Sequence, residues 1–327
     1  MQRLLIAANL QFDRPLTGYL PSARQQRRQE SLLSLRKILD EAVSRRVDGV
    51  IIAGNLLFTP YPSGPAWEAV KEGSAAFKDA GIPLLLLAGD HDDGPFYQNP
   101  SLLEETKLLT AGTSMEFLPG LTVTVGTQPP NGGGILLWRG KESPPSIEGT
   151  LTIVMGANWQ KGEDNRTLIP GAPIRLDFDE PDEPSISLLS WDWGPSSIEQ
   201  IAIPDRIYAS VRWDVEERGT DIVPYLETRL DGEMALRLLL FGEIDAVIPI
   251  DELEKKFKSG YFHLKIIDQT NPSTKAISSS PLVNDTFSKL ISNALRNLEL
   301  SPNDVKQYYR AWVLGQNAFK GGEKRAD

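Results

Sequence analysis

Three short apolar runs, each closed by a polar residue, constrain this chain more than anything else in it. Leu4 to Ala8 ends at Asn9, Val50-Ile51-Ile52-Ala53 ends at Gly54-Asn55, and Ile82 to Ala88 ends at Gly89-Asp90. Between the first two runs, Leu32, Leu35, Leu39, Ala42 and Val43 recur at helical spacing. Between the second and third, Ser63-Gly64-Pro65 opens a helix predicted over Ala66 to Ala80. Unbroken apolar runs of this length fit strands covered on both faces, and strands joined through helices run parallel. The pattern predicts βαβ units that bring Asn9, Asn55 and Asp90 to the C-terminal edge of one sheet, where α/β folds build their sites.

From about Met115 the pattern changes to short strands separated by Pro and Gly: Leu121 to Val125, Ile135 to Trp138, Thr150 to Met155 and Ile186 to Trp191. These predict a mostly antiparallel sheet packed on the first, an α/β sandwich. After Pro204 a smaller unit is expected, with strands Ile207 to Val211, Ala235 to Phe241 and Tyr261 to Ile267 and a helix from Ile250 to Lys258. A polar run, Asp268 to Ser280, reads as a linker. Two amphipathic helices follow: Phe287, Leu290, Ile291, Ala294, Leu295 and Leu298 form one stripe, and Ser301-Pro302-Asn303-Asp304 caps a second helix carrying Val305, Tyr308, Tyr309, Trp312 and Val313. The expected division is 1–204, 205–270, a linker at 271–280 and a helical segment at 281–327.

At 327 residues the chain exceeds a single core. A net charge of −10 argues against a protein that coats nucleic acid by bulk electrostatics, and the acidic stretch Asp177 to Glu183 would repel DNA. Arg24, Arg27 and Arg28 are the densest basic group and the DNA-binding candidates; the alternative is a solvated helix start. The absence of cysteine excludes disulfides and thiolate metal sites. The first apolar run meets Asn9 and Gln11 without a small-residue cleavage site, so a cytoplasmic protein without a membrane span is expected.

The order of motifs resembles the SbcD-type DNA double-strand-break repair nucleases, counterparts of the eukaryotic nuclease called meiotic recombination eleven, within the calcineurin-like metallophosphoesterases. Leu5 to Gln11 is similar to the family's opening strand and Asp-x-His, Asp48 to Leu57 to its "DxxxxxGDLF", and Ile82 to Asp92 to its "IPxxxxxGNHD". Pro170-Gly171-Ala172-Pro173-Ile174-Arg175-Leu176-Asp177-Phe178 is similar to "PGSxERLDF", the most specific of these pieces. Ile153 to Trp159 falls where the family carries "GHxH". The resemblance implies a phosphoesterase α/β sandwich over 1–204, a smaller α+β capping domain over 205–270 and C-terminal helices that bind the coiled-coil base of an SbcC-like, SMC-type ATPase.

Carried onto this chain, the family's metal positions become Asn9 for Asp, Gln11 for His, Asn55 for the bridging Asp, Asp90 for Asn, Trp138 or Arg139 for His, and Ala157 and Trp159 for the last two His. The chain has two histidines, His91 and His263, and His91 alone keeps its family identity. Two-metal chemistry needs cations about 3.5–4 Å apart, one to acidify the attacking water and both to neutralise phosphoryl oxygens. Amides offer single neutral oxygens, and Ala and Trp offer no ligand.

The resemblance therefore implies a catalytically degenerate member, a pseudoenzyme of DNA repair that scaffolds an SMC-type ATPase, contacts DNA and forms a homodimer. No cofactor is expected, with Mn or Mg entering only if activity survives. His91 reads also as a satisfied loop histidine, and Asp90 with Asp92 as a weak Mg²⁺ site. Phe287, Leu290, Ile291, Leu295, Tyr308 and Trp312 are the partner-binding candidates, with packing on their own domain as the alternative. Two other functions stand beside this one: a residual or single-metal exonuclease or phosphoesterase, and a structural subunit of another nucleic-acid assembly.

Overall fold

The computed structural model describes residues 1–89, 94, 97, 103, 106–139, 144, 146–154, 166–180, 183–244, 247–272, 306, 307 and 310. The chain divides into two compact units, Met1–Arg206 and Ile207–Asp327. In the first, β1 (Gln2–Ala7), β2 (Gly49–Ile52), β3 (Leu84–Leu87) and β4 (Lys107–Leu109) run parallel side by side. Between them lie α1 (Pro21–Leu32), α2 (Ser34–Arg45) and α3 (Gly64–Asp79), the last capped by the Ser63 hydroxyl, which accepts from the Ala66 N–H at 3.3 Å. The second sheet contains β5 (Ser114–Leu118), β6 (Leu121–Gly126), β7 (Gly134–Trp138), β8 (Thr150–Val154) and β9 (Thr167–Leu168), in that spatial order. Then β10 (Ser185–Trp191) returns to pair antiparallel with β1, and β11 (Pro195–Ala202) pairs with β10.

Among the described residues, the first sheet lies between the helices and the second sheet. One face of the first sheet, with Leu5, Val50 and Leu86, packs against Leu35, Ile38 and Phe77 of the helices. Its other face, with Leu4, Ile51 and Leu85, packs against Val123, Ile135 and Ile153 of the second sheet. A fully buried Leu or Ile contributes about 1.5–3 kcal/mol, so this double coverage is what makes unbroken apolar runs into central strands. The expected α/β phosphoesterase-type sandwich is present.

The second sheet differs from expectation. Only β5 pairs antiparallel with its neighbour, while β6, β7, β8 and β9 run parallel, and the strand at Ile186 to Trp191 belongs to the first sheet. The reason is visible in β7 and β8. Ile135-Leu136-Leu137 and Leu151-Thr152-Ile153-Val154 are buried without alternation, as strands covered on both faces are. Pro144 and Gly149, which imitate hairpin turn residues, instead lie between parallel strands.

In the second unit, β12 (Tyr208–Asp214), β13 (Asp231–Phe241) and β15 (Tyr261–Asp268) form a parallel sheet, and β14 (Glu243–Ile244) pairs with β16 (Asn271–Pro272). Leu236, Leu238, Leu240, Leu264 and Ile266 face Leu253 and Phe257 of the helix Ile250–Phe257. Of the predicted closing helices, Lys306, Gln307 and Arg310 are described and are helical, whereas Phe287, Leu290, Ile291, Leu295, Tyr308 and Trp312 lie outside the described residues.

His263, 2% exposed, sits on the opposite face of β15, and burial with the neighbouring Lys265 charge lowers its pKa to about 4. The unfolded chain takes up a proton near pH 6.5; the folded chain does so only near 4. The stability contributed by neutral His263 is therefore complete above about pH 6.5 and is lost as the pH falls toward 4, by about 3 kcal/mol at the limit. Urea unfolding of the second unit between these pH values reads this loss, and His263→Leu is expected to abolish the pH dependence.

Candidate functional site

The polar residues that end β1 and β2 are brought together by backbone bonds continuing past the ladder. Ala53 N–H donates to the Ala7 carbonyl at 2.7 Å, Asn9 N–H to Gly54 at 3.1 Å, Gln11 N–H to Asn55 at 2.9 Å and Phe12 N–H to Leu56 at 2.9 Å. To follow this path Asn9, Gln11 and Asn55 take left-handed conformations, with φ of 56°, 48° and 53°. Asn tolerates this region better than most residues; Gln does so at a cost, and such strain gathers at functional sites. The end of β3 closes on them, because a Cβ on Gly89 would stand 2.5 Å from both the Asn55 nitrogen and its Oδ1. Only glycine permits that approach.

Two of the amide oxygens at this edge accept hydrogen bonds. Asn55 Nδ2 donates to Asn9 Oδ1 at 2.8 Å, and Gln11 Oε1 accepts from Arg14 Nη1 at 3.0 Å. Arg139 directs Nη1 to the Ala88 carbonyl at 3.3 Å, adding a guanidinium beside the end of β3. The side-chain oxygens of Asn9 and Gln11, which would face cations in a metal centre, are here bonded to donors. Among the described residues no group of three or more His, Cys, Asp or Glu could hold a metal. Asn9, Gln11 and Asn55 do not fit a pair of divalent cations, which need anionic oxygens to offset their charge. Trp138, at the end of β7, is half-buried. Asp90, His91, Asp92, Ala157 and Trp159 lie outside the described residues.

The three α1 arginines do not form one basic face. Arg27 is wholly buried: Nη1 reaches Asp205 Oδ1 at 2.7 Å, Nη2 the other oxygen, Nε the Arg175 carbonyl at 3.1 Å, and Nη1 also Glu30 at 2.8 Å. It is a structural ion, not a DNA contact. Burial opposes ionisation of Asp205 and Glu30, but hydrogen bonds from Arg27, joined by Arg206 at Glu30, outweigh it and lower both pKa values. Arg175, 4% exposed, bonds the Asp177 carbonyl at 3.1 Å and that of Phe178 at 2.8 Å, while its N–H donates to Asp205 at 2.8 Å. Gly171 accepts from Ala8 N–H at 3.0 Å. The Pro170 to Phe178 stretch is thus a buttress for β1 and α1.

Arg24 and Arg28 remain at the surface. They line a groove of about 710 Å³ with Gln25, Gln29, Arg14 and Gln11, so it opens onto the amide cluster. Arg24 Nη2 donates to the Tyr19 carbonyl at 3.0 Å, and its buried Nε has no partner among the described residues. Arg14 is absent from the sequence-based candidates; its place three residues after Gln11, in reach across one turn, is the signal that marks it. Arg14 also pairs with Asp177 and Glu180.

No family model matches the chain. Over 100 residues it is 34% identical to the DNA double-strand break repair protein Mre11 of Aeropyrum pernix, a stretch that is 30% of this chain and 23% of that protein. The chain thus spans about a quarter of the length of the curated relative it matches. This partial similarity and the mixed α/β sandwich agree with the calcineurin-like phosphoesterase fold expected from the sequence.

Proposed function

We propose that this chain is a non-catalytic, SbcD-like subunit of a DNA-processing complex, which contacts DNA and docks an SMC-type ATPase without cutting DNA itself. The observation that carries the reading is the bond from Asn55 Nδ2 to Asn9 Oδ1, 2.8 Å long, at the edge where a phosphoesterase would hold its cations. Partial similarity to a DNA double-strand break repair protein supports the setting. The residues then act as a surface. Arg24 and Arg28 supply guanidinium donors to phosphate oxygens, and Gln25 and Gln29 supply neutral amides along the groove they line. The apolar stripe of Phe287, Leu290, Ile291 and Leu295, with Tyr308 and Trp312, is the segment assigned to the ATPase.

Anisotropy of a labelled linear duplex tests the DNA contact. Arg24→Ala with Arg28→Ala is expected to weaken binding and to flatten the slope of log K against log salt by about one for each phosphate that is no longer neutralised. An unchanged slope contradicts the groove as a DNA-binding surface. Co-purification of an SMC-type ATPase, lost on removal of residues 281–327, tests the partner; retention after that removal contradicts the assignment.

A further inference from the structure

At the opposite edge of the first sheet, where Gln2 pairs with Trp191, β10 turns into β11 through Asp192-Trp193-Gly194. The turn is tight, with Asp192 N–H donating to the Gly194 carbonyl at 2.9 Å, and it holds Trp193 at φ 58°. A bulky residue in the left-handed region costs about 1–2 kcal/mol where glycine would be relaxed. Burial does not offset that cost, because Trp193 is 87% exposed. Its indole stands over the Pro119–Gly120 turn: a Cβ on Gly120 would lie 3.9 Å from Trp193 Cζ3.

Below it is a pocket of about 160 Å³ walled by Met1, Gln2, Pro119, Trp191 and Trp193, with Asp192 at the rim. Gln2 Nε2 is fixed to the Pro119 carbonyl at 2.9 Å, whereas Gln2 Oε1 is buried and has no partner among the described residues. Asp192 makes no ion pair among the described residues. The pocket therefore offers aromatic surface and two hydrogen-bond acceptors, one of them anionic. An orphaned buried acceptor costs about 1–3 kcal/mol, which a donor entering the pocket would remove.

We propose that this pocket binds a lysine side chain presented by a partner protein. The ammonium supplies donors to Gln2 Oε1 and the Asp192 carboxylate, its charge is attracted to the indole face, and its methylene stem lies against Trp191 and Pro119. A nucleotide is disfavoured on size, since pockets for such ligands run from about 300 Å³ upward. Phosphate is disfavoured by Asp192, and a basic partner is favoured again by the net charge of −10.

The test is titration of the full chain, labelled with ¹⁵N at its indoles, with the peptide acetyl-Gly-Ala-Lys-Ala-Gly-amide, its Glu analogue and an oligothymidylate. Trp193→Ala assigns the resonance; with so little of Trp193 buried, this variant folds. The expected result is a saturable shift of the Trp193 indole with the lysine peptide alone, weakened about fivefold by Asp192→Asn. No saturable shift, an equal response to the glutamate peptide or to Asp192→Asn, or tighter binding of oligothymidylate overturns it.

Discussion

Arg27→Ala is expected to destabilise the first unit by about 3–5 kcal/mol, measured by urea unfolding at neutral pH. The side chain is fully buried and Asp205 is 3% exposed, so truncation strands a carboxylate in a site from which water is excluded. The Arg175 carbonyl loses its donor in the same step, and Glu30 keeps Arg206 and a 3.3 Å bond from Gln26. Replacing the pair together, Arg27→Met with Asp205→Leu, is expected to recover much of the loss, because the cost lies in the unpaired charge rather than in missing attraction. The network also sets an acid limit. Asp205 and Glu30 have lowered pKa values in the fold, so their contribution is complete above the unfolded carboxylate values of about 4 and is lost as the pH falls through the folded ones. Arg27→Ala is expected to lose this acid sensitivity and to regain part of its stability as the pH falls, because protonation neutralises the stranded Asp205.

Asn9→Asp with Asn55→Asp is expected to lower stability by about 2–4 kcal/mol at neutral pH. The amides now share a 2.8 Å hydrogen bond. Two carboxylates so placed cannot both ionise cheaply, and repulsion raises one pKa above its unfolded value. The variant is then most stable in acid and weakens as the pH rises through the raised pKa. Mn²⁺ is expected to raise its melting temperature by neutralising the pair while leaving the natural sequence unmoved. A double variant as stable as the parent without metal would show that the amide bond is incidental.

The edge that carries these residues is legible in the sequence because a buried parallel strand ends abruptly: the change from Ala8 to Asn9 and from Ala53 to Asn55 marks where the sheet stops. The bond between the two amides is not, since they lie 46 residues apart and residue types do not show which way an amide turns. Arg27 misleads for a similar reason. An arginine in the second turn of a surface helix is ordinarily solvated, and the groups that bury this one are 148 and 178 residues away. The parallel second sheet has its signal in the unbroken apolar runs of β7 and β8, but the prolines and glycines between them imitate hairpin turns. Trp193 carries no local signal; its interest comes from the φ that Asp192 and Gly194 impose and from the orphaned oxygen of Gln2.

The central claim is that the phosphoesterase edge holds amides in place of metals. Calorimetric titration of Mn²⁺ into the purified chain, followed by incubation of the same sample with linear duplex DNA, tests it most directly. No tight stoichiometric heat and no cleavage above a metal-free control are expected. Tight binding of two Mn²⁺ per chain with Mn²⁺-dependent cleavage would contradict it.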